Sequence, residues 1–369
     1  MSRRPLAQIN TGALLHNVDR IRELAPHSKI LAVLKANAYG HGLEPALKGL
    51  SLTDGFALLD LAEAKALREK GWTGPILLLE GLFAQEDIFT ATDLKCDCVV
   101  HDFNQIDWLE ALSEARSSAR LPNVYLKMNT GMNRLGFTPQ RYRSAWTRLN
   151  ALPQVDEISL MTHFSDADGP KGIAEQMARF EEATRDLPGE RSVSNSAATL
   201  RHAQDAAVKA DWIRPGIAVY GSSPDFPEHS AAHWGLQPAM SLNAQIIAVQ
   251  HLQAGDSVGY GSSFVADRAM RIGVVACGYA DGYPRLCPTG TPVLVGGVRS
   301  RTLGRVSMDM LAVDLSDVPA AGVGSQVTLW GQAAEGAVLS IDEVAQAAGT
   351  IGYELLTKVT ARVPRRYLG

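Results

Sequence analysis

Cysteine is scarce: the chain has four in 369 residues, Cys96, Cys98, Cys277 and Cys287. Cys96 and Cys98 are one residue apart, which is not a zinc spacing, and alternate residues of a strand face opposite sides. All four are expected to be buried, reduced thiols, and no metal is expected. A surplus of one charge is also missing. Lys and Arg number 35 against 39 Asp and Glu, a net charge of −4 with the signs well mixed. Without a basic stripe, nucleic acid and anionic membrane surfaces are not expected partners. No apolar run approaches the ~20 residues of a membrane span. The start, Met1-Ser2-Arg3-Arg4-Pro5, is basic, but no run of about 7–15 apolar residues follows it as in a secretory signal. The expectation is a protein that stays in the cytoplasm.

What the chain does have is apolar content. Hydrophobic residues make up 46 %, and the length exceeds what one hydrophobic core usually organises, so two domains are expected. Through the first 220 residues short apolar runs alternate with longer amphipathic stretches. The runs begin near Ile30, Gly55, Ile76, Asp97, Asn123, Ile158, Ser192 and Ile217. Each interval holds one helix and its loops; Leu61-Ala62-Glu63-Ala64-Lys65-Ala66-Leu67-Arg68, for example, is rich in strong helix formers at amphipathic spacing. Eight strands alternating with helices predict an α/β fold with an N-terminal (β/α)8 barrel. After Tyr220 a stretch rich in Gly, Ser and Pro reads as a linker. Beyond it LNAQIIAVQHL, RIGVVACGY, TPVLVGG, MLAVDL and QVTLW read as strands, with one helical stretch, IDEVAQAAG. The expected division is 1–230 for the barrel and 231–369 for a β-rich C-terminal domain.

Active sites of such barrels lie at the C-terminal ends of the strands. There the sequence places Lys35, Glu80, His101, Lys127 with Asn129, His163, and Asn195 with Ser196, and Arg214 stands just before the last run. Packing alone does not select a ring of Lys, His and Arg. Lys35 sits between an apolar strand and the small-residue turn Ala36-Asn37-Ala38-Tyr39-Gly40. Partial desolvation there lowers an amine's pKa and favours Schiff-base chemistry. Taken alone, His163 reads as a structural histidine and Asn195-Ser196 as a turn or helix cap, although a phosphate site is expected after the seventh strand of this fold. No role is assigned to Glu80 or His101.

VLKANAYGHG (33–42) resembles the cofactor-lysine motif of bacterial pyridoxal-phosphate-dependent alanine racemases. KMNTGMNRLGF (127–137), THF (162–164), SNSAAT (194–199), WIRPGIAVYG (212–221), VGYG (258–261), GYADGYPR (278–285), GRVSMDM (304–310) and GYELLTKVTARVPRRY (352–367) follow in that family's order. The resemblance covers essentially the whole chain. It implies an isomerase that interconverts L- and D-alanine, for D-alanine supply to peptidoglycan or for L-alanine catabolism. A broader amino-acid racemase is the alternative.

The resemblance further implies a role for each matching residue. Lys35 would carry pyridoxal 5'-phosphate as an internal aldimine and serve the D-alanine face of the external aldimine. Tyr260 would be the second base, on the L-alanine face, supplied by the partner subunit of a homodimer with shared active sites. Tyr39, Ser196, the backbone of Gly216 and Ile217, and Tyr353 would hold the phosphate, with Asn195 beside them. Arg214 would face the pyridine nitrogen, and His163 would link it to Tyr260. Arg134 would bind the substrate carboxylate, Met308 and Asp309 would complete the pocket, and Tyr283 would narrow its entrance. Lys127 matches a lysine that carries a carbamate in several members. Racemisation fits this set because a proton must leave one face of a planar carbon and return on the other, which one base cannot easily do. The cofactor supplies the electron sink. A tyrosine base needs cations around it, and Arg134, with His163 behind, is the expected source.

Overall fold

The structure, a computed structural model, describes residues 5–115, 119–205, 208 and 210–369. Its residues divide into two compact units, one formed by 18–38 and 50–219, the other by 1–17, 39–49 and 220–369.

The first unit is the barrel. Its sheet has eight strands in the order Arg191–Ser192, Val155–Met161, Leu121–Lys127, Asp97–Val100, Ile76–Leu78, Gly55–Leu58, Lys29–Val33, Trp212–Ile213. Every pairing is parallel. The two ends meet: the Arg214 N–H donates to Ser194 O at 2.9 Å, and Ser192 Oγ donates to Trp212 O at 3.2 Å. Gly55–Leu58, Ile76–Leu78 and Asp97–Val100 are buried at every position, as parallel strands covered on both faces must be. Helices fill the connections and begin where the sequence offers caps. The Asp60 carboxylate accepts from Ala62 N to open Leu61–Glu69, Asp102 does the same for Phe103–Glu114, and Pro139 stands in the first turn of Pro139–Asn150.

The eighth strand differs from the sequence expectation. It is Trp212–Ile213, and the Ile217 run forms a 3-10 turn, Ile217–Tyr220. Ile217, Ala218, Val219 and Tyr220 are all buried, and a short apolar run buried all round carries no period by which to separate strand from helix. Arg214 therefore follows the last strand instead of preceding it, which puts it at the same rim as the other polar strand-end residues.

The second unit is β-rich. Its sheet runs Val338–Leu339, Gln326–Gln332, Pro292–Val295, Val298–Leu303, Leu311–Asp314, Met270–Val275, Met240–Leu252, Leu6–Asn10, Arg365–Leu368. Gln326–Gln332 also pairs with Met240–Leu252 and so closes the inner strands into a barrel. The hairpin between Pro292–Val295 and Val298–Leu303 turns on Gly296 and Gly297, both at positive φ (53° and 76°), as a two-residue hairpin turn requires. The sequence division at 230 assigns Leu6–Asn10 to the barrel; in the structure this strand lies against Met240–Leu252, with Ile9 opposite Met240. The linker after Tyr220 is organised by the buried Asp225, whose carboxylate accepts from Ser223 Oγ, Trp234 Nε1 and His229 Nδ1. The four cysteines are free and buried. Burial pushes the Cys96 thiol up to about 12. Among the described residues no helix is long and apolar enough to cross a membrane.

Candidate active site

Lys35 leaves the barrel strand Lys29–Val33 and enters an unusual turn. Ala36, Asn37, Ala38 and Tyr39 have φ of 57°, 54°, 53° and 51°, consecutive left-handed residues of which none is glycine. Left-handed geometry costs roughly 1–2 kcal/mol for an ordinary residue, so the surroundings must hold the turn. Within the barrel unit the Leu34 N–H donates to Ala57 O at 2.8 Å, the Ala38 N–H to Leu34 O at 2.7 Å, and the Asn37 N–H to the Glu63 carboxylate at 3.2 Å. In the other unit, Arg365 Nε donates to Gly40 O at 2.7 Å. A Cβ on Gly40 would lie 2.3 Å from Leu356 O, so only glycine fits there. Burial, then the Arg134 charge, pull the Lys35 amine below its ordinary pKa, with Glu80 opposing them.

The rim of the barrel unit is cationic. Lys127 ends the strand Leu121–Lys127, is 6 % exposed and is drawn down to about 8 by burial, Arg214 and Arg134. Among the described residues no carboxylate forms an ion pair with it. Arg134 rides on a loop closed at its base, where the Asn129 N–H donates to Phe137 O and the Phe137 N–H to Lys127 O, both at 2.9 Å. Asn129 Oδ1 accepts from the N–H groups of Gly131 and Asn133. Asn129 is thus the loop's internal organiser.

Arg214 is fully buried and lowered by that burial to about 10, so it stays protonated near neutrality. Its Nη1 donates to Ser192 O (2.7 Å) and Ser192 Oγ (2.5 Å), and its Nη2 to Thr162 O (2.7 Å). Among the described residues its Nε has no protein acceptor. Ser196 Oγ accepts from Gly216 N at 2.9 Å and Ala218 N at 3.3 Å, which leaves the hydroxyl proton free to donate elsewhere. Asn195 caps the helix Ser196–His202 through Ala198 N. Its Nδ2 stands 3.4 Å from His163 Nε2.

Burial and the charges of Arg214, Lys127, Arg134 and Lys35 hold His163 well below the usual histidine pKa. The shift favours the uncharged imidazole, which leaves Arg134 as the cation of the expected pair. His101 Nε2 is 3.1 Å from Glu80 O.

The second unit carries the other set. Tyr260 stands on the turn Tyr260–Ser262, between Gly259 and Gly261 at φ 73° and 71°, and is 73 % exposed. A Cβ on Gly304 would lie 2.7 Å from Val258 O, so the VGYG and GRVSMDM segments are in backbone contact. Met308 is 54 % exposed. The Tyr279 N–H donates to Ser307 O at 3.1 Å and the Ala280 N–H to Met308 O at 3.0 Å. The three motif segments therefore form one cluster.

Tyr283 does not fit its expected place at an entrance. It is 1 % exposed and stacks on Trp330 with ring centres 6.1 Å apart. Tyr279, 38 % exposed and next to Met308, presents its side chain to the outside instead. The motif GYADGYPR contains both tyrosines, and only tertiary burial separates them. Tyr39 and Tyr353 also belong to this unit, with rings 5.9 Å apart; Tyr220 stacks on Tyr39 at 4.7 Å and on His41 at 4.5 Å. Burial pushes the Tyr39 phenol up to about 12, which keeps it a hydrogen-bond donor.

Known proteins give the arrangement its context. The family model for the alanine racemase N-terminal domain matches residues 9–224, and that for the alanine racemase C-terminal domain matches 239–367. The alanine racemase of a Polaromonas species is 64 % identical over 365 residues, 99 % of each chain; that of Delftia acidovorans is 63 % identical over 366 residues, 98 % of this chain and 99 % of the relative. The crystal structure of the biosynthetic alanine racemase from Pseudomonas aeruginosa superposes with a TM-score of 0.92 at 47 % identity, covering 100 % of both chains. These names carry alanine, and the broader amino-acid range weighed from sequence finds no support in them. With both family domains in order and identity this high over nearly every residue, the chain belongs to the alanine racemases, an isomerase family.

Proposed function

We propose that this chain racemises alanine with Lys35 and Tyr260 as its two proton-transfer groups and pyridoxal 5'-phosphate as cofactor. The observation that supports this reading best is Lys35 at the barrel rim, its amine shifted toward the neutral form by burial and by Arg134. A neutral amine is the form that can hold an aldehyde carbon and take a proton. The donor set suits an anionic aldehyde cofactor. Ser196 Oγ has a proton to give, Ile217 brings a backbone N–H beside that of Gly216, which already donates to Ser196 Oγ, Arg214 Nε has no protein acceptor among the described residues, and Lys127, Arg134 and Arg214 surround the rim with positive charge. Tyr39 and Tyr353 would bind the phosphate, His163 and Asn195 would lie beside the ring, and Arg134 would take the substrate carboxylate. Once bound, the cofactor supplies the electron sink that lets the Cα proton leave. A guanidinium only donates, so Arg214 would leave a ring nitrogen unprotonated and the sink weak, which suppresses side reactions. Lys35 would then exchange the proton on the D-alanine face and Tyr260 on the L-alanine face.

Tyr260, Met308 and Asp309 suit a homodimer with shared active sites, since large apolar side chains left exposed mark contact surfaces; Met308 and Asp309 would complete the partner's substrate pocket. At about 8 the Lys127 amine is partly neutral near physiological pH, the form that reacts with carbon dioxide. A carbamate there would turn repulsion toward Arg134 into attraction. Activity of Lys127→Ala should return with a short carboxylate. Cytoplasmic action on free L- and D-alanine, either to supply D-alanine for peptidoglycan or to degrade L-alanine, completes the reading.

The direct test is circular dichroism decay of L-alanine and, separately, D-alanine with purified protein and pyridoxal phosphate, with L-serine and L-lysine alongside. Decay of both alanine signals to zero while the others barely move is expected. Inert alanine would overturn the reading.

A further inference from the structure

Asp309 is half exposed, on a loop whose backbone is fixed elsewhere. Gly278 has no room for a side chain, since a Cβ would lie 2.3 and 2.4 Å from Ser307 O and Met308 O. With the bonds from Tyr279 and Ala280, this sets the backbone of Met308 but not the carboxylate of Asp309. That carboxylate meets Arg362: Nη2 lies 2.7 Å from Asp309 Oδ1. The same guanidinium places Nε 2.8 Å from Asp281 Oδ1.

Asp281 is a firm anchor. Its side chain is 2 % exposed, against 47 % for Arg362 and 45 % for Asp309. Its other oxygen accepts from the Gly278 N–H at 3.0 Å, its carbonyl accepts from the Thr360 N–H at 3.2 Å, and Thr360 Oγ1 donates to Ala280 O at 3.0 Å. The 278–282 turn is therefore held between the 307–309 segment and the 360–362 segment, with one planar fork reaching from its buried acid to the exposed one. The contact to Asp309 is a hydrogen bond and that to Asp281 an ion pair, and one guanidinium spans both.

We propose that Arg362 is a positioning residue for the substrate pocket, tying the Asp309 carboxylate to the buried Asp281 and neutralising it where it faces a carboxylate-bearing substrate. The inference rests on the reading that Met308 and Asp309 line that pocket. Without Arg362, Asp309 would swing free as an uncompensated negative charge and repel the amino acid, an effect on substrate binding more than on turnover.

The test compares Arg362→Met, Arg362→Lys, Asp309→Ala and the Met/Ala double variant as holoenzymes. KM and kcat for L-alanine, pyridoxal phosphate affinity and melting temperature would be measured for each. Arg362→Met should raise KM about tenfold, with kcat within about threefold and cofactor affinity unchanged, and should lower the melting temperature because the buried Asp281 loses its counter-charge. Arg362→Lys should recover part of the loss. The double variant should be no worse than the poorer single one, because coupled residues fail additivity. An unchanged KM in Arg362→Met, losses that multiply in the double variant, or a lower melting temperature with no change in KM would each overturn the proposal. If Asp309→Ala raises KM and Arg362→Met does not, this inference alone falls. If Asp309→Ala leaves KM untouched, the pocket reading falls with it.

Discussion

The barrel rim and the loop cluster of the second unit solve opposite problems. At the rim, burial shifts the titratable groups, and neighbouring cations add to it for three of them: Lys35 and His163 are pushed down and Lys127 falls to about 8, while burial takes Arg214 to about 10. In the loop cluster the key side chains stand outside, Tyr260 at 73 % and Met308 at 54 % exposure, and the order lies in backbone bonds and in the Arg362 bridge. The rim prepares charge, and the loops prepare position. A group that must be reactive needs burial beside like charges; one that must meet another surface needs a stiff stalk and an open tip.

The comparison breaks first at the two proposed bases. Lys35→Ala should abolish racemisation and the absorbance of the bound cofactor together. Tyr260→Phe should cost about 10²- to 10⁴-fold, the usual weight of a general acid–base group, while the cofactor absorbance survives. Normal proton exchange from L-alanine in Tyr260→Phe would end the two-base scheme. Next in size is complementation. Mixing Lys35→Ala with Tyr260→Phe chains should restore a fraction of wild-type activity, up to about a quarter if chains exchange at random and each site draws on both chains; none at all under exchange conditions would favour sites built within one chain.

A smaller effect sharpens the charge side. The Lys127 amine falls from 10.5 to about 8 on folding, so the unfolded chain binds its proton more tightly. Stability is therefore lost as pH falls from 10.5 to about 8 and stays lost below. In protein kept free of carbon dioxide, Lys127→Met should regain up to about 3 kcal/mol near pH 7, at about 1.4 kcal/mol per pH unit, and flatten that slope; urea unfolding against pH measures it. The smallest effect is expected at Tyr283→Phe, which should leave KM and kcat within about twofold and stability within about 1 kcal/mol, whereas Tyr279→Ala should alter KM.

Much of this was legible in the sequence because the barrel strands are short apolar runs with polar residues at one end. Lys35, Lys127, His163 and Asn195 were placed at the rim on that basis. Several strands escaped, and two of them show why. Trp212–Ile213 is too short to show a period beside the longer buried run at Ile217. Leu6–Asn10 finds its partner more than 200 residues away, at Met240–Leu252, a pairing no local pattern announces. At the site, motif matching points to Tyr283 where the fold exposes Tyr279, since burial against Trp330 is a tertiary fact. Nor could it foresee how His163 is shifted toward its neutral form, which follows from burial and then from the cations that the fold gathers around it.

The left-handed turn after Lys35 bears on the order in which the molecule assembles. An unfolded chain rarely visits that basin four residues in a row, so the turn cannot seed folding. The Asn37 N–H needs the Glu63 carboxylate as acceptor and Gly40 O needs Arg365 Nε as donor, and both partners lie well away from the turn in the chain. The amide protons of residues 36–39 should accordingly exchange with solvent at a lower free energy than those of the neighbouring strand Lys29–Val33. Lys35 is then flanked by the last part of its neighbourhood to become native, and a half-folded chain does not yet hold its amine in the native setting.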